Sequence, residues 1–152
     1  MRIFNINYND PVNSITGFTL SIWFQFCEHR CNGCYSPQTW GEGGYEISDL
    51  ELKDIILNSR WNNVSLIGGD PFHPYNREEV VELIKWIKNN TNKTLYVWTG
   101  YLKEDVDKWV DCKYIDYLID GKFEKDKLDL RLLLRSSLNQ NIYKNGILYF
   151  NK

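Results

Sequence analysis

Three of the four cysteines in this chain lie within eight residues, in the stretch CEHRCNGC that holds Cys27, Cys31 and Cys34. This C-x3-C-x2-C spacing allows one short loop to bring three sulfur atoms around a common centre. Three thiolates suit a zinc ion or an iron–sulfur cluster. A four-iron cluster held by three cysteines keeps one iron without a protein ligand, so such a site can be catalytic as well as structural.

Size and charge limit what can surround this loop. The chain has 152 residues, 43% of them hydrophobic, which suits one globular domain over residues 1–152. The net charge is −2 and there is no run of Lys or Arg, so nucleic acid is not an expected partner. No apolar run approaches the ~20 residues of a membrane span, and the polar N-terminus is not that of a signal peptide. We therefore expect a cytoplasmic, reducing setting, where clustered cysteines more often bind metal than form disulfides.

Strand and helix patterns alternate from residue 16 to residue 120. β-Branched and aromatic residues predict a strand over 16–26, directly before the cysteine loop. Further along, the patterns predict a helix to about residue 59 behind a Ser48–Glu51 capping box, a strand over 64–67, a helix over 77–89 capped by Asn76, a strand over 95–98, a weaker helix over 103–110 and a strand over 114–119. Residues 1–15 are interpreted as an irregular strand and loop, and 142–149 as a hairpin through Asn-Gly.

This alternation predicts an α/β fold with a mostly parallel sheet and right-handed crossovers. A closed eight-fold barrel needs roughly 250 residues, whereas this chain supplies about four to five βα units. We therefore expect an open, partial (βα) barrel, with the functional loops at the carboxyl ends of its parallel strands.

Other chemistry-bearing residues follow the predicted strands. Gly68 and Gly69 have no Cβ, so the backbone there can approach a ligand closely, and the Asp70 carboxylate can accept from an ammonium group. A side chain at Gly69 would then collide with that ligand. Taken alone, this segment also fits an ordinary turn before a helix, and Thr99 fits a turn residue and a ligand-binding residue equally well.

A structural zinc site is the plainest alternative for the cysteine loop. His29, His73 or Cys112 would have to complete it. Structural zinc sites usually show two paired ligand sets, whereas this chain has one triplet and no second pair. A small core residue is the simplest interpretation of Cys112, and His29 is expected to be solvated or packed on the loop.

Several segments form a longer pattern: Cys27 to Tyr35, Thr39-Trp40, Gly68 to Pro74, Val97 to Tyr101, Leu118 to Phe123 and Arg135 to Gln140. In these segments the chain resembles the radical S-adenosylmethionine (SAM) enzymes and, more closely, the activating proteins of anaerobic (class III) ribonucleoside-triphosphate reductases. The resemblance covers nearly the whole chain, in the same order and at a similar length. It implies an open partial barrel of the radical SAM type.

The chain departs from the family pattern near its end, where Ser136 and Leu138 replace Gly and Ser. The role of residues 122–140 is therefore left open. Asp120 and Lys122, after the last predicted parallel strand, either face SAM or the protein substrate or form a salt-bridged rim of the sheet, and the rim is the preferred interpretation. Most of the wider superfamily carries Glu at the position of Asp70, whereas the reductase activators often carry Asp.

The resemblance implies how cofactors would be held. Cys27, Cys31 and Cys34 would ligate a [4Fe-4S] cluster, whose open iron is chelated by the amino and carboxylate groups of SAM. One electron entering the sulfonium then gives methionine and a 5′-deoxyadenosyl radical. The predicted cofactor contacts are Gly33, Cys34, Tyr35, Gly68, Gly69, Asp70 and Thr99.

The resemblance also implies the partners. The substrate would be a glycine Cα–H of the reductase, which becomes a glycyl radical, and a donor such as reduced flavodoxin or ferredoxin would supply the electron. Two alternatives stay open: activation of a different glycyl-radical enzyme, of the formate-lyase type, and a zinc-binding interaction protein without catalysis. The sequence does not decide whether the chain forms homo-oligomers.

Overall fold

An eight-stranded sheet organises the computed structural model, which describes residues 1–149. The strands are β1 (Arg2–Asp10), β2 (Thr19–Phe24), β3 (Tyr45–Glu46), β4 (Asn63–Gly68), β5 (Thr94–Trp98), β6 (Tyr117–Asp120), β7 (Asn141–Lys144) and β8 (Ile147–Tyr149). The helices are α1 (Asp49–Asn58), α2 (Arg77–Asn90) and α3 (Lys103–Val106). Short 3-10 turns lie at Pro37–Thr39, Cys112–Tyr114 and Lys125–Lys127.

The strands lie in the order β3-β1-β2-β4-β5-β6-β7-β8. The central strands β2, β4, β5 and β6 are parallel, joined by crossovers that contain α1, α2 and α3. The prediction of a mostly parallel sheet is wrong at both edges, because β1, β3, β7 and β8 all pair antiparallel with their neighbours. The connections between consecutive strands at these edges contain no crossover α-helix, which parallel neighbours usually require. Within the described residues the edge strands β3 and β8 do not meet, so the sheet is open, as predicted.

The irregular N-terminal strand and loop that the sequence predicted are present. Nine of residues 1–15 form β1 along β2, and the residues after Asp10 form a loop. The pairing shifts register between Ile3 and Asn5 and again between Asn7 and Asp10. These irregularities break the strict alternation of apolar and polar residues by which a strand is recognised.

The two faces of the sheet have different tasks. Leu20, Ile22 and Phe24 of β2 belong to the buried core that the helices share, with Leu52 and Ile56 from α1. Five buried residues of α2 complete this layer: Val80, Val81, Leu83, Ile84 and Ile87. The side chains on the opposite face of the strands include Trp23, Ile67 and Trp98, which line a cavity. The helices therefore leave one face of the sheet available for a site.

The two predicted helix caps differ in outcome. Ser48 accepts a hydrogen bond from the Glu51 amide at 3.1 Å, which confirms Ser48 as the N-cap of α1 and provides one of the two bonds of a capping box. The Asn76 side chain does not cap α2. It accepts from the Arg2 amide at 2.8 Å and donates to the Gln25 carbonyl at 3.0 Å, so it ties α2 to β1 and to the end of β2. Among residues 1–149, no helix has the length and apolar character needed to cross a membrane.

The predicted C-terminal hairpin is confirmed. Asn145 and Gly146 have φ angles of 51° and 82°, which is the left-handed pair that a two-residue turn between β7 and β8 requires. The hairpin extends the sheet beyond β6, because β7 pairs with β6, and residues 121–140 therefore end at a strand of the sheet.

Candidate functional site

The cysteine loop follows β2 and is held by backbone hydrogen bonds on two sides. The Phe26 amide donates to the Thr39 carbonyl at 2.7 Å, and the Cys27 amide donates to the Trp40 carbonyl at 3.3 Å. The Phe26 carbonyl accepts from the Asp70 amide at 2.8 Å. These bonds fix the first cysteine relative to the ends of β2 and β4, where a parallel sheet commonly binds ligands.

The path of the loop includes unusual backbone conformations. Phe26 and Arg30 have positive φ angles of 82° and 50°, which are uncommon for residues with a Cβ. Such conformations persist only where the surroundings impose them, and they are concentrated at functional sites. The Cys34 amide closes the loop by donating to the Cys31 carbonyl at 3.1 Å.

All three loop cysteines line one cavity of about 470 Å³. This volume lies in the range of roughly 300–1,000 Å³ that small-molecule sites occupy. The predicted cofactor contacts that share this lining are Cys34, Tyr35, Gly68, Gly69, Asp70 and Thr99. Gly33 is outside the lining; it is exposed, has a φ of 79°, and a Cβ there would meet Cδ of Lys125 at 3.3 Å.

The loop thiols are partly buried and free of disulfides. Burial raises the pKa of Cys27 to about 11, and burial also raises the pKa of Cys31. Both groups are therefore neutral thiols at pH 7 before a metal binds, and metal binding must release their protons. Cys34 Sγ accepts from the Ser36 amide at 3.3 Å, a contact that orients this sulfur.

The arrangement of donors discriminates between the two kinds of metal site. Within residues 1–149, no three His, Cys, Asp or Glu side chains are grouped so that they could hold one metal ion. A single zinc ion requires its sulfur ligands about 2.3 Å from one centre. A cluster gives each thiolate its own iron, so the cysteines can stand further apart around a cavity. Three cysteines around a shared cavity fit a cluster better than zinc.

The residues that would complete a zinc site are engaged elsewhere. Nδ1 of His73 accepts from the Tyr75 amide at 3.1 Å, and His73 does not line the cavity. Cys112 is 2% exposed and belongs to the core, and burial raises its pKa to about 12. This placement confirms the interpretation of Cys112 as a core residue.

Asp70 is the hydrogen-bond centre of the site. Its carboxylate lies 2.6 Å from Nε2 of His29 and accepts from the Thr99 hydroxyl at 2.9 Å and the Gly100 amide at 2.9 Å. It also accepts from the Phe72 amide at 2.9 Å. The Asp70 and His29 side chains are only 1% and 5% exposed. One buried carboxylate therefore joins the cysteine loop to the ends of β4 and β5.

His29 is accordingly buried in this cluster and is not solvated. Its ring packs edge-on against Tyr101, with 4.5 Å between the ring centroids. Gly100 lies so close that a Cβ there would collide with the His29 ring. The sequence gives no sign of this contact, because His29 and Asp70 are 41 positions apart.

The two glycines at the end of β4 lie so close to protein backbone that neither position has room for a Cβ atom. A Cβ on Gly69 would collide with the Phe26 carbonyl, and one on Gly68, whose φ is 118°, would collide with the backbone of Phe24. The Gly69 amide also donates to the Phe24 carbonyl at 2.9 Å. The glycines thus allow β4 to pack directly against the start of the cysteine loop, a reason that the sequence did not reveal.

Replacing Gly69 with alanine should lower the free energy of unfolding by about 1–3 kcal/mol, because the Phe26 backbone must move to admit the Cβ. Iron uptake during cluster reconstitution should fall as well, since Phe26 precedes the first cysteine. Gly41→Ala is the matched control, because no atom lies within 4 Å of a Cβ at that position. Urea denaturation of both metal-free proteins measures the difference, and equal stability would contradict this packing.

The 122–140 segment, whose role the sequence left open, forms one wall of the cavity. It contributes Phe123, Leu132, Leu134 and Arg135 to the lining. The Trp98 indole fastens it by donating to the Leu134 carbonyl at 2.8 Å. The segment has neither helical nor strand periodicity, so no pattern in the sequence indicated that a wall would form here.

Asp120 does not form the predicted salt-bridged rim. It is 1% exposed and accepts from the Lys103 and Asn141 amides at 2.8 and 3.3 Å. Burial raises its pKa. The carboxylate therefore fixes the starts of α3 and β7 at the end of β6, while Lys122 is exposed.

Comparison with known proteins agrees with this geometry. Residues 16–143 match the family model of the 4Fe-4S single cluster domain. The chain is therefore a protein of the 4Fe-4S single-cluster class.

Curated relatives narrow this class. The anaerobic ribonucleoside-triphosphate reductase-activating protein of Enterobacteria phage T4 is 38% identical over 124 residues, which cover 78% of this chain and 79% of the relative. The protein of the same name from Pasteurella multocida is 37% identical over 146 residues, which cover 89% of this chain and 92% of the relative. The one from Escherichia coli (strain K12) is 31% identical over 153 residues, which cover 91% of this chain and 98% of the relative. The chain belongs to this family of activating proteins, which confirms the resemblance seen in the sequence.

Proposed function

We propose that this chain is a radical SAM activase that generates a glycyl radical on an anaerobic ribonucleoside-triphosphate reductase. The observation that carries the proposal is that Cys27, Cys31 and Cys34 line the same cavity as the residues at the ends of β4 and β5. A bound cluster and SAM would supply one-electron cleavage of the sulfonium to methionine and a 5′-deoxyadenosyl radical, which takes a hydrogen atom from a glycine Cα of the partner.

The three cysteines would hold the cluster, one thiolate to each of three irons. The backbone of residues 33–35 and of Gly68 and Gly69 would contact SAM. The Asp70 carboxylate already accepts hydrogen bonds from Thr99, Gly100 and Phe72, besides its contact with His29. A direct contact of Asp70 or Thr99 with SAM therefore stays a prediction. The hydrogen bond between these two side chains stabilises the ends of β4 and β5 whether or not SAM contacts them.

The cavity wall suits radical chemistry. Trp23, Trp98, Phe123 and Leu134 contribute largely apolar side chains to it. Apolar walls exclude water, which prevents side reactions of a reactive intermediate. The sheet is open at both edges. In the proposal, the surface of the partner protein covers the cavity when its glycine loop enters.

The names of the curated relatives favour a ribonucleotide reductase over a formate-lyase type partner. The match to the 4Fe-4S single cluster domain favours a cluster over zinc, and His29, His73 and Cys112 are engaged in other contacts. Reduced flavodoxin or ferredoxin as the electron donor, which the family resemblance implies, and a cytoplasmic location are further parts of the proposal.

The proposal is tested by measuring 5′-deoxyadenosine under anaerobic, reducing conditions, with and without a candidate reductase. Coupled formation of 5′-deoxyadenosine and a glycyl radical should require the partner's intact glycine loop. A reductase in which the target glycine is alanine is the matched control, and it should give no radical signal. Stoichiometric modification of a small metabolite without any partner would contradict the activase assignment.

A further inference from the structure

The end of the 122–140 segment is a rigid turn beside the cavity. The Gln140 side chain accepts from the Ser136 and Ser137 amides at 2.9 and 3.1 Å and donates to the Gly121 carbonyl at 3.0 Å. Asn139 adds a hydrogen bond to the Lys122 carbonyl at 2.7 Å. The turn is thereby fastened to the end of β6, and its first residue, Arg135, is held against the cavity.

The Arg135 guanidinium has few partners in this position. Its one hydrogen bond within residues 1–149 is long, from Nη1 to the Gln140 carbonyl at 3.3 Å. Nε is buried and has no hydrogen-bond partner in that part of the chain. A guanidinium has five N–H donors, so most of its capacity is unused. A buried donor without an acceptor is unfavourable, and a ligand acceptor that draws the guanidinium into a new position would relieve it.

Arg135 is also distinctive by charge. Among the described residues that line the cavity, it is the sole Lys or Arg. The other charged or titratable groups there are the three cysteines, Tyr35 and the His29–Asp70 pair, which is already engaged. A second buried donor without an acceptor, Nε1 of Trp40, belongs to the same lining. The cavity thus offers unused donors and one fixed positive charge to an anionic ligand.

A carboxylate is the anion that matches a guanidinium best, because two parallel N–H···O bonds can form. SAM carries one carboxylate, on its methionine part, beside an ammonium and a sulfonium that a guanidinium repels. Resting on the proposed function, we propose that Arg135 binds the α-carboxylate of SAM and so orients the methionine part in the cavity. Gln140 positions Arg135 for this contact.

The test compares SAM binding to the cluster-reconstituted wild-type protein, Arg135→Gln and Arg135→Lys by anaerobic calorimetry. Arg135→Gln should weaken SAM binding roughly 10- to 100-fold, the usual effect of losing a charge-assisted hydrogen bond. Arg135→Lys should recover part of this loss, because it keeps the charge without the planar fork. Arg131→Gln is the matched control: Arg131 lies in the same segment, its side chain is 90% exposed, and SAM binding should be unchanged.

Decarboxylated SAM provides the second arm. Arg135→Gln should bind this analogue as well as the wild type does, because the carboxylate contact is absent from both complexes. Equal weakening of SAM and of the analogue would overturn the inference, since it would indicate a general change of the cavity. Unchanged SAM binding by Arg135→Gln would also overturn the inference. This holds even if the variant binds the partner protein more weakly, because Arg135 would then serve the partner and not SAM.

SAM binding by the wild type and SAM binding by the variant test different statements. A reconstituted wild-type protein that does not bind SAM would contradict the proposed function itself. A wild type that binds SAM, together with an Arg135→Gln variant of equal affinity and iron content, would contradict the assignment of Arg135 alone.

Discussion

Alanine at Cys27, Cys31 or Cys34 should each leave the anaerobically reconstituted protein without its iron–sulfur cluster and without activity. The three sulfurs line one cavity, and no other cysteine lies near enough to replace one of them, because Cys112 is in the core. Iron and sulfide analysis should fall from about four of each per chain to near zero, since a cluster of this kind depends on each of its thiolates.

Cys112→Ala is the matched control for these variants. It removes a thiol of the same chemistry that is 2% exposed and has a pKa raised to about 12 by burial, which makes it a poor metal ligand. This variant should keep the full cluster, at some cost in stability. Full iron content in Cys31→Ala, or its loss in a folded Cys112→Ala, would overturn the ligand assignment.

The second large effect is expected at Asp70. Asp70→Ala should lower the free energy of unfolding of the metal-free protein by about 3–5 kcal/mol, because each buried donor that loses its acceptor costs about 1–3 kcal/mol. The substitution leaves His29, the Thr99 hydroxyl and the Gly100 amide without their acceptor. Asp70→Asn should cost less, because one oxygen remains to accept. Anaerobic urea denaturation measures both.

Asp49 offers a matched control for Asp70. Lys53 and Asp49 form an ion pair at 2.6 Å, the same separation as between His29 and Asp70, but the Asp49 side chain is 45% exposed. Asp49→Ala should therefore change stability by no more than about 1 kcal/mol. If Asp70→Ala proves no more costly than Asp49→Ala, Asp70 does not join the strand ends in the way described above.

The second readout for Asp70 is cluster assembly. Because its carboxylate holds His29, which stands between the first two cysteines, Asp70→Asn should load less iron than the wild type even where it remains folded. Normal iron loading by a folded Asp70→Asn would show that the position of the cysteine loop does not depend on this contact.

Local patterns predicted the parts of the fold that local physics determines. The Ser48 cap and the Asn145-Gly146 turn each follow from residues that are neighbours in the chain. The cysteine loop was expected at the end of a parallel strand, and β2 ends directly before it. The open sheet followed from chain length, since too few βα units were available to close an eight-fold barrel.

Long-range contacts account for what the sequence did not predict. The His29–Asp70 contact joins loops from two separate strands, and no local preference marks either residue as buried. Asn76 is a residue type that often caps helices, yet its side chain forms hydrogen bonds with the backbone of Arg2 and Gln25 instead. The wall formed by residues 122–140 depends on anchors such as Gln140 to Gly121 and lacks periodicity, so pattern-based reasoning could not locate it.

The glycyl radical is the product that the proposed activase function requires, and it can be observed directly. The reconstituted protein is mixed anaerobically with a candidate anaerobic ribonucleoside-triphosphate reductase, SAM and a reductant, and the mixture is examined by electron paramagnetic resonance. We expect a glycyl-radical doublet that requires SAM and the cluster, and that disappears with Cys31→Ala or with a reductase whose target glycine is alanine. A protein that carries the full cluster and cleaves SAM but gives no doublet with any such reductase would contradict the proposed activase function.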